Sequence, residues 1–310
     1  MKTLADLRDR ADLLLLRGDY LDALHAYAII LTVEPSHLDA RLRVADALLA
    51  IGEVQRAAVV YTALARHCAH GGHPLRGLVA IKVLTSLEPL LSTLLGRMSE
   101  LYSKDSGRLG RGMRISPSEE DKALPAEWKI GPCPSRDSLV AQAEKLGADL
   151  GKAGQIYPKK LPPIPLFSEL PADAFERVLA ALKLRRTRPG EVILAEGEPG
   201  HSFYAIARGS VAVTKHLAQG GDTRLATLHE GAIFGEMALV SASPRTATVT
   251  AESDCDLLEF DREALAAASR DVATVAVALD KFTRERLLNN LLATAPLFRP
   301  LDRKQRFVLI

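Results

Sequence analysis

Along the first hundred residues apolar positions recur every three to four residues, the period of helices that bury one face. Sliding the first 70 residues against themselves sets Ala11 on Ala45, Leu14 on Leu48, Gly18 on Gly52, Ala23 on Ala57 and Tyr27 on Tyr61, each pair 34 apart. Two helix-turn-helix copies follow from this register, with glycine at the turn inside each. The first, RGDYLDALHAYAIILTVEP, closes at Pro35; the second, IGEVQRAAVVYTALARHCAHG, carries Val54 where the first has Tyr20 and Ala69 in place of the proline. A third, degenerate pair is expected over 74–102, broken at Pro89.

The helical period fails after residue 103. Glycine, proline, serine and charge dominate 104–164, which predicts a linker holding one docked helix, with Leu139, Ala143, Leu146 and Leu150 on its apolar stripe and Ser135 or Asp137 at its cap. From about residue 190 the period changes to short β-branched and aromatic runs. They are separated by turn signals at Pro189-Gly190, Gly197 to Gly200, Gly209, Gly220-Gly221-Asp222 and Gly231. Such spacing predicts a small all-β barrel or jelly roll, entered by a helical segment SELPADAFERVLAALKLRRT and left by a helix starting near Asp261. The glycines at 190, 197, 200, 209 and 231 read as turn formers.

Composition narrows the class. With 40 basic and 38 acidic residues the net charge is +2, which gives nucleic acid no support as a partner. Three distant cysteines, Cys68, Cys133 and Cys255, argue for a reducing compartment, and no stretch approaches the roughly 18 apolar residues of a membrane span. A cytoplasmic protein without a membrane partner is expected. His67, Cys68, His70 and His73 crowd together, but their spacing fits no common closed zinc site, so a solvated turn is expected there and no metal. GRLGRG lacks the strand and βαβ setting of a phosphate loop and reads as chance.

The candidate chemistry lies in FGEMALVSASP and the RTAT after it. Glu236 and Arg245 stand at opposite ends of one loop, each beside small residues that let a ligand approach the backbone. A carboxylate suits vicinal hydroxyls and a guanidinium forks onto a phosphate, and together they describe a nucleotide. No nucleophile or acid/base set accompanies them, so a binding site and no enzyme is expected, with no cofactor beyond the ligand.

Two family resemblances follow from these motifs. The 34-residue period resembles the tetratricopeptide repeat, which implies a curved helical surface for a protein or peptide partner. From Leu166 to about Asn290, the PLFSELP opening, the PGEVILAEGEPGHSFYAIARGSV turn series, FGEMAL and PRTATV resemble the cyclic nucleotide-binding domain. That resemblance implies a ligand site of Phe234, Gly235, Glu236, Met237, Ala238, Leu239, Arg245, Thr246 and Ala247. Residues 234–239 would form a one-turn helix aimed at the cyclic phosphate, Glu236 would accept the ribose 2′-hydroxyl, and Arg245 would pair with the exocyclic oxygens. The backbone amides of Ala238 and Ala247 would complete the cradle. Thr246 bears on the base, cAMP being preferred with cGMP close behind, and Phe282, Leu287 or Leu291 would supply the lid. His201 departs from the aspartate usual in the family.

The fold class expected is therefore multidomain α+β: a tetratricopeptide-like solenoid over 1–103, a linker over 104–164, and a jelly-roll cyclic nucleotide-binding domain with flanking helices over 165–293. PLFRPLDRKQRFVLI repeats the opening of the roll 131 residues later, so 294–310 are expected to begin a second, truncated copy. The function expected is a cytoplasmic cAMP or cGMP receptor that couples ligand binding to protein interaction in signalling. A ligand-independent adapter, using the helical repeats with a structural β-roll, is the other reading kept open.

Overall fold

The computed structural model describes residues 3–87, 93–115, 124, 131–150, 156–217, 220–236 and 244–269, together with 277, 281, 282 and 284. The chain forms two units: Met1–Leu94 with Gly110–Pro162, and Leu95–Leu109 with Pro163–Ile310.

The first unit is helical. It holds α1 (Leu4–Arg17), α2 (Tyr20–Val33), α3 (Leu38–Ala50), α4 (Val54–Gly71) and α5 (Pro74–Leu87), each packed on the next, and α7 (Arg136–Ala148) packed on α2, α3 and α4. The 34-residue register is a structural one. Gly18 and Gly52 both turn the chain at positive φ, +84° and +89°, which glycine adopts without a Cβ penalty. Ala11 and Ala45, and Tyr27 and Tyr61, are wholly buried at matching positions. Each tyrosine donates to a carboxylate on the preceding helix, Tyr27 to Asp12 at 2.6 Å and Tyr61 to Asp46 at 2.5 Å, again 34 apart.

The helix expected in the linker is α7, with Ser135 as its N-cap residue but without a side-chain cap bond. Leu139, Val140, Ala143 and Gly147 face inward, while Leu150 lies past the helix end. The contact with α3 and α4 is close, since a Cβ on Gly147 would stand 2.8 Å from Val60 and 3.2 Å from Val44. Arg41 of α3, wholly buried, donates to the carbonyls of Leu146 (2.9 Å), Gly147 and Asp149 (3.2 Å) at the end of α7, and to Pro35. These are the carbonyls a helix leaves without an internal partner. Burial pulls the Arg41 pKa down to about 10, which leaves it charged at neutral pH.

The histidine-rich stretch is not a solvated turn. Helix α4 runs through Gly71, so His67 and Cys68 are buried, and His73 folds back so that its Nε2 meets the Ile115 carbonyl at 2.9 Å. His67 Nδ1 lies 3.1 Å from the Tyr157 hydroxyl, and burial, then Arg41, His73 and His70, push its pKa down to about 4.

The second unit is a β-roll with a helical flank. Its strands are β1 (Lys183–Thr187), β2 (Val192–Leu194), β3 (Ser202–Arg208), β4 (Ser210–His216), β5 (Asp222–His229), β6 (Ile233–Phe234), β7 (Thr248–Ala251) and β8 (Cys255–Asp261). They form two four-stranded antiparallel sheets, ordered β1-β8-β3-β6 and β2-β7-β4-β5. Period-2 alternation assigns the faces. Tyr204, Ile206 and Leu257 point between the sheets with Leu194, Val211, Phe234 and Val249. Phe203 and Phe260, stacked at 4.3 Å, face the other way, and the Phe260 ring lies 5.0 Å from that of Phe167. Phe167 and Phe175 of α8 (Ala172–Ala181) meet edge to face.

α6 (Thr93–Tyr102), expected as the second half of a third repeat, belongs from Leu95 onward to this unit. Ser99 Oγ donates to the Ala172 carbonyl at 3.2 Å, and Ser168 Oγ to the Tyr102 carbonyl at 2.7 Å. Pro89 lies outside the described residues. The sequence KLRRT, expected to continue a helix, is β1, because pairing of Lys183 to Thr187 with β8 outweighs the local preference. The strand β8 passes directly into α9 (Arg262–Ser269), whose first amides are capped by Asp261 Oδ1. Among the described residues no helix is long and apolar enough to cross a membrane. The expected second copy over 294–310 lies outside the described residues.

Candidate functional site

The site forms where the turn after β2 meets the strand that becomes β7. Gly197 N–H donates to the Arg245 carbonyl at 2.9 Å, Arg245 N–H donates to the Glu198 carbonyl at 2.8 Å, and Glu196 N–H donates to Thr248 Oγ1 at 3.1 Å. Arg245 is therefore fixed by its backbone on both sides before its side chain engages anything. The guanidinium then turns inward: Nη1 donates to the Gly235 carbonyl at 2.9 Å and Nη2 to the Ser202 carbonyl at 2.7 Å. Its other N–H groups have no acceptor among the described residues.

Two glycines make room for it. A Cβ on Gly200 would stand 2.6 Å from Arg245 Cζ and Nε, so any side chain there displaces the guanidinium. Gly190, Gly197, Gly209 and Gly231 do turn the chain at positive φ, but Gly200 is not in that region, and its role is to seat the arginine. Gly235 combines both reasons, with φ +77° and a Cβ position only 3.1 Å from Arg245 Nη1 and from Leu194.

Glu236 follows Gly235 directly and is buried, at 6% exposed. Burial lowers the Arg245 pKa and outweighs the opposing influence of Tyr204, Glu198 and Glu236; an arginine remains charged regardless. The arrangement is thus a half-buried cation on a fixed backbone seat, with a carboxylate beside it and small residues on the approach. It suits an anion whose oxygens can take two N–H groups at once.

Of the remaining predicted site residues, Phe234 is buried with its ring stacked on Tyr204 at 5.3 Å, which places it in the core. Thr246 is exposed and Ala247 half-buried. Met237, Ala238 and Leu239 lie outside the described residues, as do the lid candidates Leu287 and Leu291, whereas Phe282 is buried. The structure adds Ser202, through its carbonyl, and Gly200. Ser202 carries no sequence signal for this role, because a backbone acceptor is the same in every residue type, whereas Gly200 is visible as a glycine but reads as a turn former until the arginine beside it is seen.

Residues 184–271 match the family model of the cyclic nucleotide-binding domain. The chain is 34% identical over 110 residues to a cAMP-dependent protein kinase regulatory subunit of Hypocrea atroviridis, covering 36% of this chain and 23% of that protein. It is 35% identical over 115 residues to a cyclic nucleotide-gated potassium channel of Mesorhizobium japonicum, covering 36% and 30%. To human cGMP-dependent protein kinase 2 it is 36% identical over 109 residues, covering 34% and 14%. The chain thus spans less than a third of the length of each of these relatives. Among solved structures, the catabolite activator protein of Thermus thermophilus aligns with 31% identity and a TM-score of 0.39, over 43% of this chain and 62% of that one.

Proposed function

We propose that the β-roll unit is a receptor for a cyclic nucleotide, with cAMP preferred over cGMP, and that it regulates without catalysing. The observation that carries this reading is the Arg245 seat: a half-buried guanidinium held on the Gly235 and Ser202 carbonyls, its other N–H groups without an acceptor among the described residues, and the buried Glu236 next to Gly235. Arg245 takes the exocyclic phosphate oxygens, Glu236 accepts the ribose 2′-hydroxyl, and the amides of the cassette after Phe234, with that of Ala247, take the phosphate. The exposed Thr246 stands where the base would be chosen. The preference for cAMP draws on the relatives named for it.

The helical unit, in this reading, is tetratricopeptide-like and holds a protein partner in the cytoplasm, so that nucleotide occupancy is passed to that partner. Titration calorimetry with cAMP and cGMP is the test. Saturable heat with cAMP, and weaker binding of cGMP, is expected. No heat with either at high concentration overturns the receptor and leaves a ligand-independent adapter.

A further inference from the structure

We infer that Tyr204 is a positioning residue for the ligand: its buried hydroxyl holds the Ser202 end of β3 and thereby aims Arg245. This rests on the nucleotide reading of the Arg245 seat. Tyr204 is 3% exposed, lies between the sheets, and is paired across the ladder with Phe234, on whose ring it stacks at 5.3 Å. The ring thus fixes the residue that leads into Gly235, whose carbonyl takes Arg245 Nη1.

The hydroxyl acts on the other carbonyl. It donates to Glu259 Oε1 at 3.2 Å and accepts from Ser202 Oγ at 3.2 Å and Arg185 Nη1 at 3.4 Å. A tyrosine oxygen has one proton to give and lone pairs to receive, so all three contacts are compatible. Arg185 is itself anchored, by Glu191 at 3.2 Å, by the Ile193 carbonyl at 3.4 Å, and over the Tyr204 ring at 5.8 Å. Ser202, whose side chain is tethered in this way, is the residue whose carbonyl accepts Arg245 Nη2 at 2.7 Å. A phenylalanine at 204 would fill the same space and keep the stack on Phe234. What the hydroxyl adds is the tether on Ser202 and Glu259, and through Ser202 the direction of the guanidinium.

The test compares cAMP affinity in the whole chain and in Tyr204→Phe, Ser202→Ala and Arg245→Lys, with thermal unfolding of each. Tyr204→Phe is expected to unfold like the parent and to bind cAMP about tenfold more weakly, the scale of one lost hydrogen bond. Ser202→Ala moves the same way by less. In the Arg245→Lys background the Tyr204→Phe loss falls below about twofold, because an ammonium cannot fork across both carbonyls. Parent-like binding by Tyr204→Phe overturns the inference alone, and so does an equal loss in both backgrounds, which assigns Tyr204 to the fold of the roll. A parent chain that binds neither cAMP nor cGMP overturns the nucleotide reading and this inference with it.

Discussion

Each unit seats an arginine on backbone carbonyls, and the two seats differ in what they leave over. Arg41 is wholly buried and gives its Nη groups to the carbonyls of Pro35, Leu146, Gly147 and Asp149, closing the end of α7, while its Nε–H is buried without an acceptor among the described residues. Among the described residues the Arg245 guanidinium donates to Gly235 and Ser202, and it is half-buried. The first is sealed inside the fold. The second is held in place and keeps N–H groups that have no acceptor among the described residues, which in the proposed reading separates a structural cation from one that takes a ligand.

Removing each arginine should break different properties. Arg41→Ala leaves four carbonyls and a cavity in the helical unit, and is expected to cost about 4 kcal/mol in denaturation followed by the helical far-UV signal, with cAMP affinity unchanged. A loss under about 1 kcal/mol would mean that α7 does not depend on this cap. Arg245→Ala should do the reverse, weakening cAMP by about 3 kcal/mol while stability stays within about 1 kcal/mol. If stability falls instead, the Gly235 and Ser202 contacts belong to the fold.

Acid sharpens the contrast. His67 in the helical unit has a folded pKa of about 4, below its ordinary value of 6.5, so the folded state holds the neutral ring. The stability this contributes is present above pH 6.5 and lost as pH falls toward 4, roughly 2.5 kcal/mol by about pH 4.5. His67→Gln should flatten that part of the unfolding profile, and an unchanged profile would remove His67 from the account. The smallest effect tests the repeat itself. Tyr27→Phe and Tyr61→Phe each delete a bond to a carboxylate 15 residues earlier, and each should cost about 1 kcal/mol, nearly additively. Clearly unequal costs would show that the two copies differ in energy despite their shared geometry.

Much of this was legible because local rules repeat along the chain. Gly18 and Gly52 announced their turns, the 34-residue register announced the buried alanines and tyrosines, and the β-branched runs between glycines announced the strands. The tyrosine-to-aspartate bonds followed the same register, and the pairs Asp12/Asp46 and Tyr27/Tyr61 were open to view. Errors arose where a distant partner decided. KLRRT became a strand because β8 lay beside it, and His67 was buried because α4 continued past the expected turn.

The site divides in the same way. Glu236, Arg245 and Gly235 stood out by residue type, since charge beside small residues is a feature that composition and order express. The Ser202 carbonyl, the seat at Gly200 and the Tyr204 tether did not stand out. They depend on segments tens of residues apart meeting within a few ångströms, and a carbonyl has no letter of its own. What the sequence by itself determined is therefore the periodic framework and the chemical type of the candidate site's groups, both legible within a few residues. Only the tertiary structure decided which arginine is sealed and which is half-buried, because that depends on how the folded chain packs around each guanidinium.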